Sequence, residues 1–227
     1  MRIKRIFDIV FSLTALFVLF PLMIATGILV KLTSPGPVLY RQKRLTKDMR
    51  VFTIYKFRSM RADFDTEAKG IQIRSTSDVI TPLGRFLRKT KLDELPQLVN
   101  ILRGDMSVIG PRPELPRRLP WYSERDKGIF QVRSGVSSPA SIVFSDEEYL
   151  MNQVSDPEKF YREQIMPYKI DLNLYYVKTR TFRGDLWLML ATVLKMAGFI
   201  KNENVVRDRE LLRRKEEIVE KSRGVFL

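Results

Sequence analysis

The sequence predicts an α-rich α/β protein: an N-terminal hydrophobic helix broken at Pro21, then a compact part with a small β-hairpin and amphipathic helices. Three observations predict it. Residues 9–30, IVFSLTALFVLFPLMIATGILV, carry no charge. Two runs rich in β-branched and aromatic residues, VLYRQKRL and RVFTIYKFRSM, flank the turn-like KDM. Downstream, apolar residues recur at helical spacing. The divisions that follow are 1–33 for the hydrophobic helix, 34–200 for the compact part and 201–227 for a charged helical extension.

The hydrophobic segment comes first. As a helix it is about 33 Å long at roughly 1.5 Å per residue, enough to cross a bilayer. A secretory signal fits poorly, because the apolar run is too long and no small-x-small cleavage site follows it. Pro21 sits mid-segment, where it removes a backbone hydrogen bond and bends the helix. Arg2, Lys4 and Arg5 precede the segment, and Lys31, Arg41, Lys43 and Arg44 follow it. The positive-inside rule assigns both flanks to the cytoplasm. Two readings stay open on these residues: a single span that tolerates its proline, or a helix that enters and leaves by the same leaflet.

Pro35, Gly36 and Pro37 end the helix, and the hairpin follows. Residues 61–78 are polar and aperiodic, a loop or a short helix. In TPLGRFLRKTK, Thr81 is an N-cap and Pro82 a first-turn residue. Leu83, Phe86 and Leu87 share one face, with Arg85, Arg88 and Lys89 mostly on the other. Such a basic amphipathic helix lies on a membrane surface or packs on the core with its polar face solvated. A second helix is expected from about Asp93 to Arg103, with Leu95, Leu98, Val99 and Leu102 inward and Gly104 as its stop. The apolar stretch LWLMLATVLKMAGFI, 186–200, is short for a span and suits a core or an interface. The C-terminal residues form a charge-laced helix, read as a solvated tail. Its apolar pairs Leu211/Leu212 and Ile218/Val219, seven apart, hint at a partner helix; separately, a homo-oligomer stays open as a partner.

Composition narrows the chemistry. Forty Lys and Arg against 26 Asp and Glu give a net charge of +14 and favour an anionic partner: nucleic acid, a membrane surface or a phosphorylated substrate. There is no cysteine and no histidine. Disulfides, thiolate metal sites and Ser-His-Asp triads are therefore excluded, and carboxylates lead as acid, base or nucleophile.

Two carboxylates stand out: Asp93 and Glu94, in RKTKLDELPQLVNILRGDMSVIGPRP (88–113). Capping is the ordinary use of an Asp-Glu pair at a helix start, contributing roughly 0.5 to 1 kcal/mol each. Here Arg88 adds a cation upstream, and Gly110-Pro111-Arg112-Pro113 brings a guanidinium fork suited to phosphate. An ionised Asp in that field can attack phosphorus or bind a divalent metal beside phosphate oxygens. The chemistry this describes is phosphoryl transfer without histidine.

The same block, KTKLDELPQLVNILRGDMSVIGPRP, resembles the signature of the bacterial sugar transferases, the small monotopic polyprenyl-phosphate phosphoglycosyl transferases. The likeness extends from the hydrophobic segment through YRQKR, YKFRSM and MPYKIDLNLYYVKTRTFRGDLWLMLATV. It implies a re-entrant membrane helix and a compact α/β catalytic part at the cytoplasmic face of the cell inner membrane, with interfacial helices. It also implies Mg²⁺ dependence and transfer of a phosphosugar from a UDP-sugar to polyprenyl (undecaprenyl) phosphate with release of UMP. By position, Asp93 would be the nucleophile that forms a covalent phosphosugar intermediate, and Glu94 would hold Mg²⁺. Arg88 would contact phosphate; Pro111, Arg112 and Pro113 would shape the uridine diphosphate site; Asp171 would support it. Lys56 and Arg58 of YKFRSM would bind phosphate or remain plain surface cations.

The chain departs from the family pattern in two places. Phe20-Pro21 replaces the frequent Ser-Pro, and RSGVSSPASIVFSDEEY (133–149) keeps Gly135 but has Ser138 where a second glycine is expected, which puts sugar identity in doubt. Two rival readings are a metal-dependent glycosyltransferase using Asp63-Phe64-Asp65 and a membrane-tethered nucleic-acid binder. The second lacks any recognisable nucleic-acid module. The glycine-lysine motif expected of a P-loop kinase is absent.

Overall fold

The computed structural model describes residues 2–61, 79–206 and 208–222. Asp63 and Asp65 lie outside the described residues.

The chain opens with α1, Arg2–Thr33. It remains helical through Pro21, so the expected break does not interrupt the element. A proline removes one rung and crowds the preceding turn, but the bonds on either side sustain the helix. One face of α1 lies against the rest of the molecule, burying Asp8, Ser12, Thr26 and Val30. The opposite face exposes Ile3, Ile6, Val10, Leu13, Phe17, Phe20, Ile24 and Ile28. Their spacing of three and four residues makes one continuous apolar stripe.

Both ends of α1 are fastened to the same body. Near the start, Lys4 Nζ lies 2.6 Å from Asp185 Oδ2 and 2.9 Å from the Ile109 carbonyl. Asp8 Oδ1 accepts from Ser107 Oγ and Val108 N, each at 3.1 Å. At the far end, Val30 packs with Phe57 and Leu87, and Arg58 Nη2 donates to the Ser34 carbonyl at 2.7 Å.

Strands β1 (Leu39–Leu45) and β2 (Val51–Phe57) form the expected antiparallel hairpin, paired from Leu39↔Phe57 to Leu45↔Val51. Asp48 and Met49 turn the corner with positive φ. Helix α2, Pro82–Thr90, begins as read: Thr81 Oγ1 accepts from Gly84 N at 2.9 Å. Its buried side is Gly84 and Leu87, whereas Phe86 is 56% exposed. The cause is Gly84, where any Cβ would come within 1.9 Å of the Ser59 carbonyl oxygen; backbone-to-backbone contact fixes which side turns inward.

The second helix is not continuous from Asp93. Leu92–Glu94 is a 3₁₀ turn, and α3 spans Gln97–Arg103. Pro96 has no N–H to carry the ladder through, so the helix restarts after it. Gly104 then ends α3 with φ 84°. Strands β3 (Met106–Ile109) and β4 (Ser134–Ser137) pair in parallel. Gly110 and Gly135 meet where they continue, and a Cβ on Gly135 would lie 2.1 Å from Gly110 N.

Short helices α4 (Pro139–Val143), α5 (Glu147–Asn152) and α6 (Pro157–Phe160) lead through a π-helical turn, Tyr161–Ile165, into α7, Met166–Thr179. Helix α7 is the spine of the largest core cluster, contributing Tyr168, Ile170, Leu172 and Leu174. Helix α8, Phe182–Met196, buries Leu188 and Ala191 but exposes Trp187, Leu190, Val193 and Met196. The last helix, α9 (Arg209–Ser222), is no solvated tail. Leu211 and Ile218 join the α7 cluster, so its apolar repeat finds a partner within the chain.

Candidate active site

A cleft of about 1560 Å³ opens between the hairpin, the Leu92–Glu94 turn, the segment after β3 and the α4–α7 wall. Its lining includes Lys56, Arg58, Arg88, Asp93, Glu94, Arg112 and Pro113, which brings seven of the sequence-predicted residues together. Lys91, between α2 and the 3₁₀ turn, takes the left-handed conformation with φ 59°. It is the C-cap of α2, a common place for that backbone, and its N–H donates to the Arg88 carbonyl. Here it turns the chain so that the acid pair enters the cleft.

The two acids have opposite surroundings. Asp93 is 6% exposed, and among the described residues its Oδ1 has no hydrogen-bond partner and its side chain caps no helix. Glu94 Oε1 receives Lys56 Nζ at 2.7 Å and Arg112 Nη2 at 2.6 Å. Burial pushes the Asp93 carboxyl above its ordinary value, against the pull of Lys56. Burial would raise Glu94 as well, but the charges and hydrogen bonds of Arg112 and Lys56 hold it well below the usual carboxylate range. At neutral pH Glu94 is a locked anion. Asp93 is a more basic carboxylate with a bare oxygen.

Three predicted residues sit differently. Pro111 is buried beneath the turn, where its carbonyl accepts from Gly135 N at 2.8 Å. It shapes the position of Arg112 rather than the cleft surface. Arg58 reaches the carbonyl end of α1, a favourable place for a cation, while its Nε and Nη1 are buried without partners among the described residues. Asp171 is not among the lining residues; Arg125 and Arg214 hold its carboxylate on the other side of α7.

Sequence reasoning missed the far wall. Glu147 Oε2 pairs with Lys169 Nζ at 2.6 Å. Glu114 binds Arg118 at 3.1 Å and accepts from Tyr122 OH at 3.0 Å. All of these side chains line the cleft. Glu147 lies in the divergent 133–149 stretch, and only its distance from Lys169 in the chain hid the pairing. Ser138, the substituted glycine there, caps α4 by accepting from Ser141 N at 3.1 Å.

The donor set suits Mg²⁺. Among the described residues no group of three or more acidic side chains could hold a metal, so a cation would rely on one or two carboxylates plus phosphate and water. That is the usual habit of Mg²⁺, and the Glu94 carboxylate in the cleft lining fits it.

A family model described as bacterial sugar transferase matches residues 1–198. The chain belongs to this family. It is 39% identical over 201 residues to the UDP-N-acetylgalactosamine-undecaprenyl-phosphate N-acetylgalactosaminephosphotransferase of Aeromonas hydrophila, covering 85% of this chain and 42% of that one. It is 31% identical to the UDP-glucose:undecaprenyl-phosphate glucose-1-phosphate transferase of Escherichia coli, covering 87% of this chain and 40% of that one. An uncharacterized sugar transferase of Bacillus subtilis is 32% identical, with 86% and 88% covered. The chain therefore spans less than half the length of the first two relatives. In all three, the matched portion takes in most of the present chain.

Proposed function

We propose that this sugar transferase is a phosphoglycosyl transferase, moving a phosphosugar from a UDP-sugar to a polyprenyl phosphate such as undecaprenyl phosphate. The carrying observation is the contrast within the acid pair: Asp93 keeps a buried oxygen with no partner among the described residues, beside a carboxylate locked by two cations. In the first half-reaction that oxygen attacks the sugar-linked phosphorus. The bond from phosphorus to the bridging oxygen breaks, and UMP leaves with the electron pair. In the second, a phosphate oxygen of the lipid attacks the same phosphorus, the bond to Asp93 breaks, and the carboxylate is restored. The product is a polyprenyl diphosphosugar, the starting unit for a membrane glycoconjugate.

Lys56 and Arg112 fix Glu94 and present positive charge where the diphosphate charge develops. Arg88 and Lys91 extend that field. When bound, Mg²⁺ would neutralise charge on the diphosphate, and Glu94 with the donor's phosphates would hold it.

A monotopic placement at the cytoplasmic face of the inner membrane is supported by the way α1 is held. Both of its ends are fastened to one body, so a crossing that left them on opposite sides would tear one free. Its outer apolar stripe, with Trp187, Leu190 and Val193 of α8 and Phe86 of α2, suits a lipid environment rather than water. A re-entrant α1 that enters and leaves by one leaflet satisfies both features. The lipid acceptor explains the need: its phosphate head is confined to that plane.

The test is UMP release from a panel of UDP-sugars with Mg²⁺ and undecaprenyl phosphate in detergent. One donor should support turnover, and mass spectrometry should find a phosphosugar adduct on the wild type but not on Asp93→Asn. Normal turnover by Asp93→Asn would overturn the mechanism.

A further inference from the structure

Helix α9 lies beyond the stretch matched by the family model, yet it is tied to both elements that carry the far wall of the cleft. Lys215 is 5% exposed; its Nζ lies 2.7 Å from Asp146 Oδ1 and 4.0 Å from the centre of the Phe144 ring. The neighbouring Arg214 donates to Asp171 Oδ2 at 2.6 Å and lies over the Tyr168 ring. Tyr168 OH in turn donates to the Leu211 carbonyl.

These anchor points flank the cleft pair. Asp146 immediately precedes Glu147, and Asp171 stands two residues after Lys169. Consecutive cations of α9 thus grip, from outside, the two elements that Glu147 and Lys169 join from inside.

Affinity alone does not require this arrangement. Leu211 and Ile218 already bury α9 in the core. Burying an ammonium is costly, and an apolar side chain would usually pack there at least as well. Burial indeed pushes the Lys215 ammonium below its ordinary value despite the Asp146 contact. What the charged pair adds is choice of partner, since the ammonium is compensated where Lys215 meets Asp146.

We propose that α9 is a positioning clamp: Lys215 and Arg214 set the separation of α5 and α7, and through them place Glu147 and Lys169 against the bound donor. This rests on the phosphoglycosyl transferase reading, and the experiment separates the two. Full-length Lys215→Met, Lys215→Arg and Asp146→Asn are compared with wild type for donor KM and kcat, for UDP binding by calorimetry, and for melting temperature. Lys215→Met is expected to raise donor KM and weaken UDP binding, each about fivefold, with kcat within about twofold. Lys215→Arg should recover most of the loss, and Lys215→Met with Asp146→Asn should be no worse than either alone. If Lys215→Met does not fold, Arg214→Gln serves, with a smaller shift of about twofold because Arg125 also holds Asp171. Wild-type KM and UDP affinity in a variant that only melts earlier would overturn the clamp. Failure of the wild type to release UMP from any donor would overturn the catalytic reading instead, and UDP binding would still decide the clamp.

Discussion

The cleft and the outer face of α1 invert the usual placement of polarity in opposite senses. In the cleft, Asp93, Glu94 and Arg58 are withdrawn from water; along α1, Phe17 and its neighbours are left bare, Phe17 at 84%. Soluble proteins bury apolar groups and solvate charged ones, so the two regions depart from that rule in opposite ways. Buried charge needs opposite charge, as Lys56 and Arg112 supply to Glu94, and a bare apolar stripe suits a lipid surface. The difference matters because the two regions share elements: α2 carries Arg88 into the cleft and Phe86 to the outside.

The sharpest break of the comparison is at Asp93. Asp93→Asn should lower UMP release by at least about a thousandfold, as removal of a nucleophile does, and should raise the melting temperature. The sign follows from its raised carboxyl. The folded state binds this proton more tightly than the unfolded chain, so charged Asp93 opposes folding, and stability from this group is lost as pH rises through that range. The activity limb should run the other way: turnover falls on acidification at a pH above the ordinary Asp value, as the attacking oxygen is protonated. A melting temperature that drops in Asp93→Asn would contradict the claim that its charge is a sacrifice of stability.

Glu94 should respond oppositely. Glu94→Gln leaves Lys56 and Arg112 without their shared anion and should cost about 2 kcal/mol, less than a fully buried pair because Arg112 is partly solvated. Its depressed carboxyl contributes stability above the unfolded-state value, lost as pH falls below it. Denaturant titration of both variants at neutral pH reads the two signs side by side.

Much of this contrast is legible in the chain itself. The hairpin, the Thr81 cap and the acid block are local patterns whose signals lie within a few residues of one another. What escapes is set at long range. Phe86 shares a helical face with Leu87 on paper, but contact between Gly84 and the Ser59 backbone decides which side is buried. The Glu147–Lys169 and Lys215–Asp146 pairs join residues remote in sequence, and no periodicity announces them. Asp171 shows the converse: its motif is plain, yet its carboxylate turns towards Arg125 and Arg214 rather than the cleft.

The outer face can be broken without touching the chemistry. Phe17→Lys should weaken association with anionic liposomes by about 2 kcal/mol, since a lysine is costly in hydrocarbon. UMP release in detergent with short-chain acceptor should stay near wild type. Unchanged flotation would mean that the stripe is covered by something other than lipid.

The mildest perturbation falls where the two regions meet. Thr81→Ala removes the side-chain acceptor for Gly84 N and should cost about 1 kcal/mol. If α2 transmits position between the cleft and the outer face, the variant should lose some UMP release and some liposome binding together, each by no more than about fivefold. Loss of one with the other intact would show that Arg88 and Phe86, though on one helix, are held in place independently.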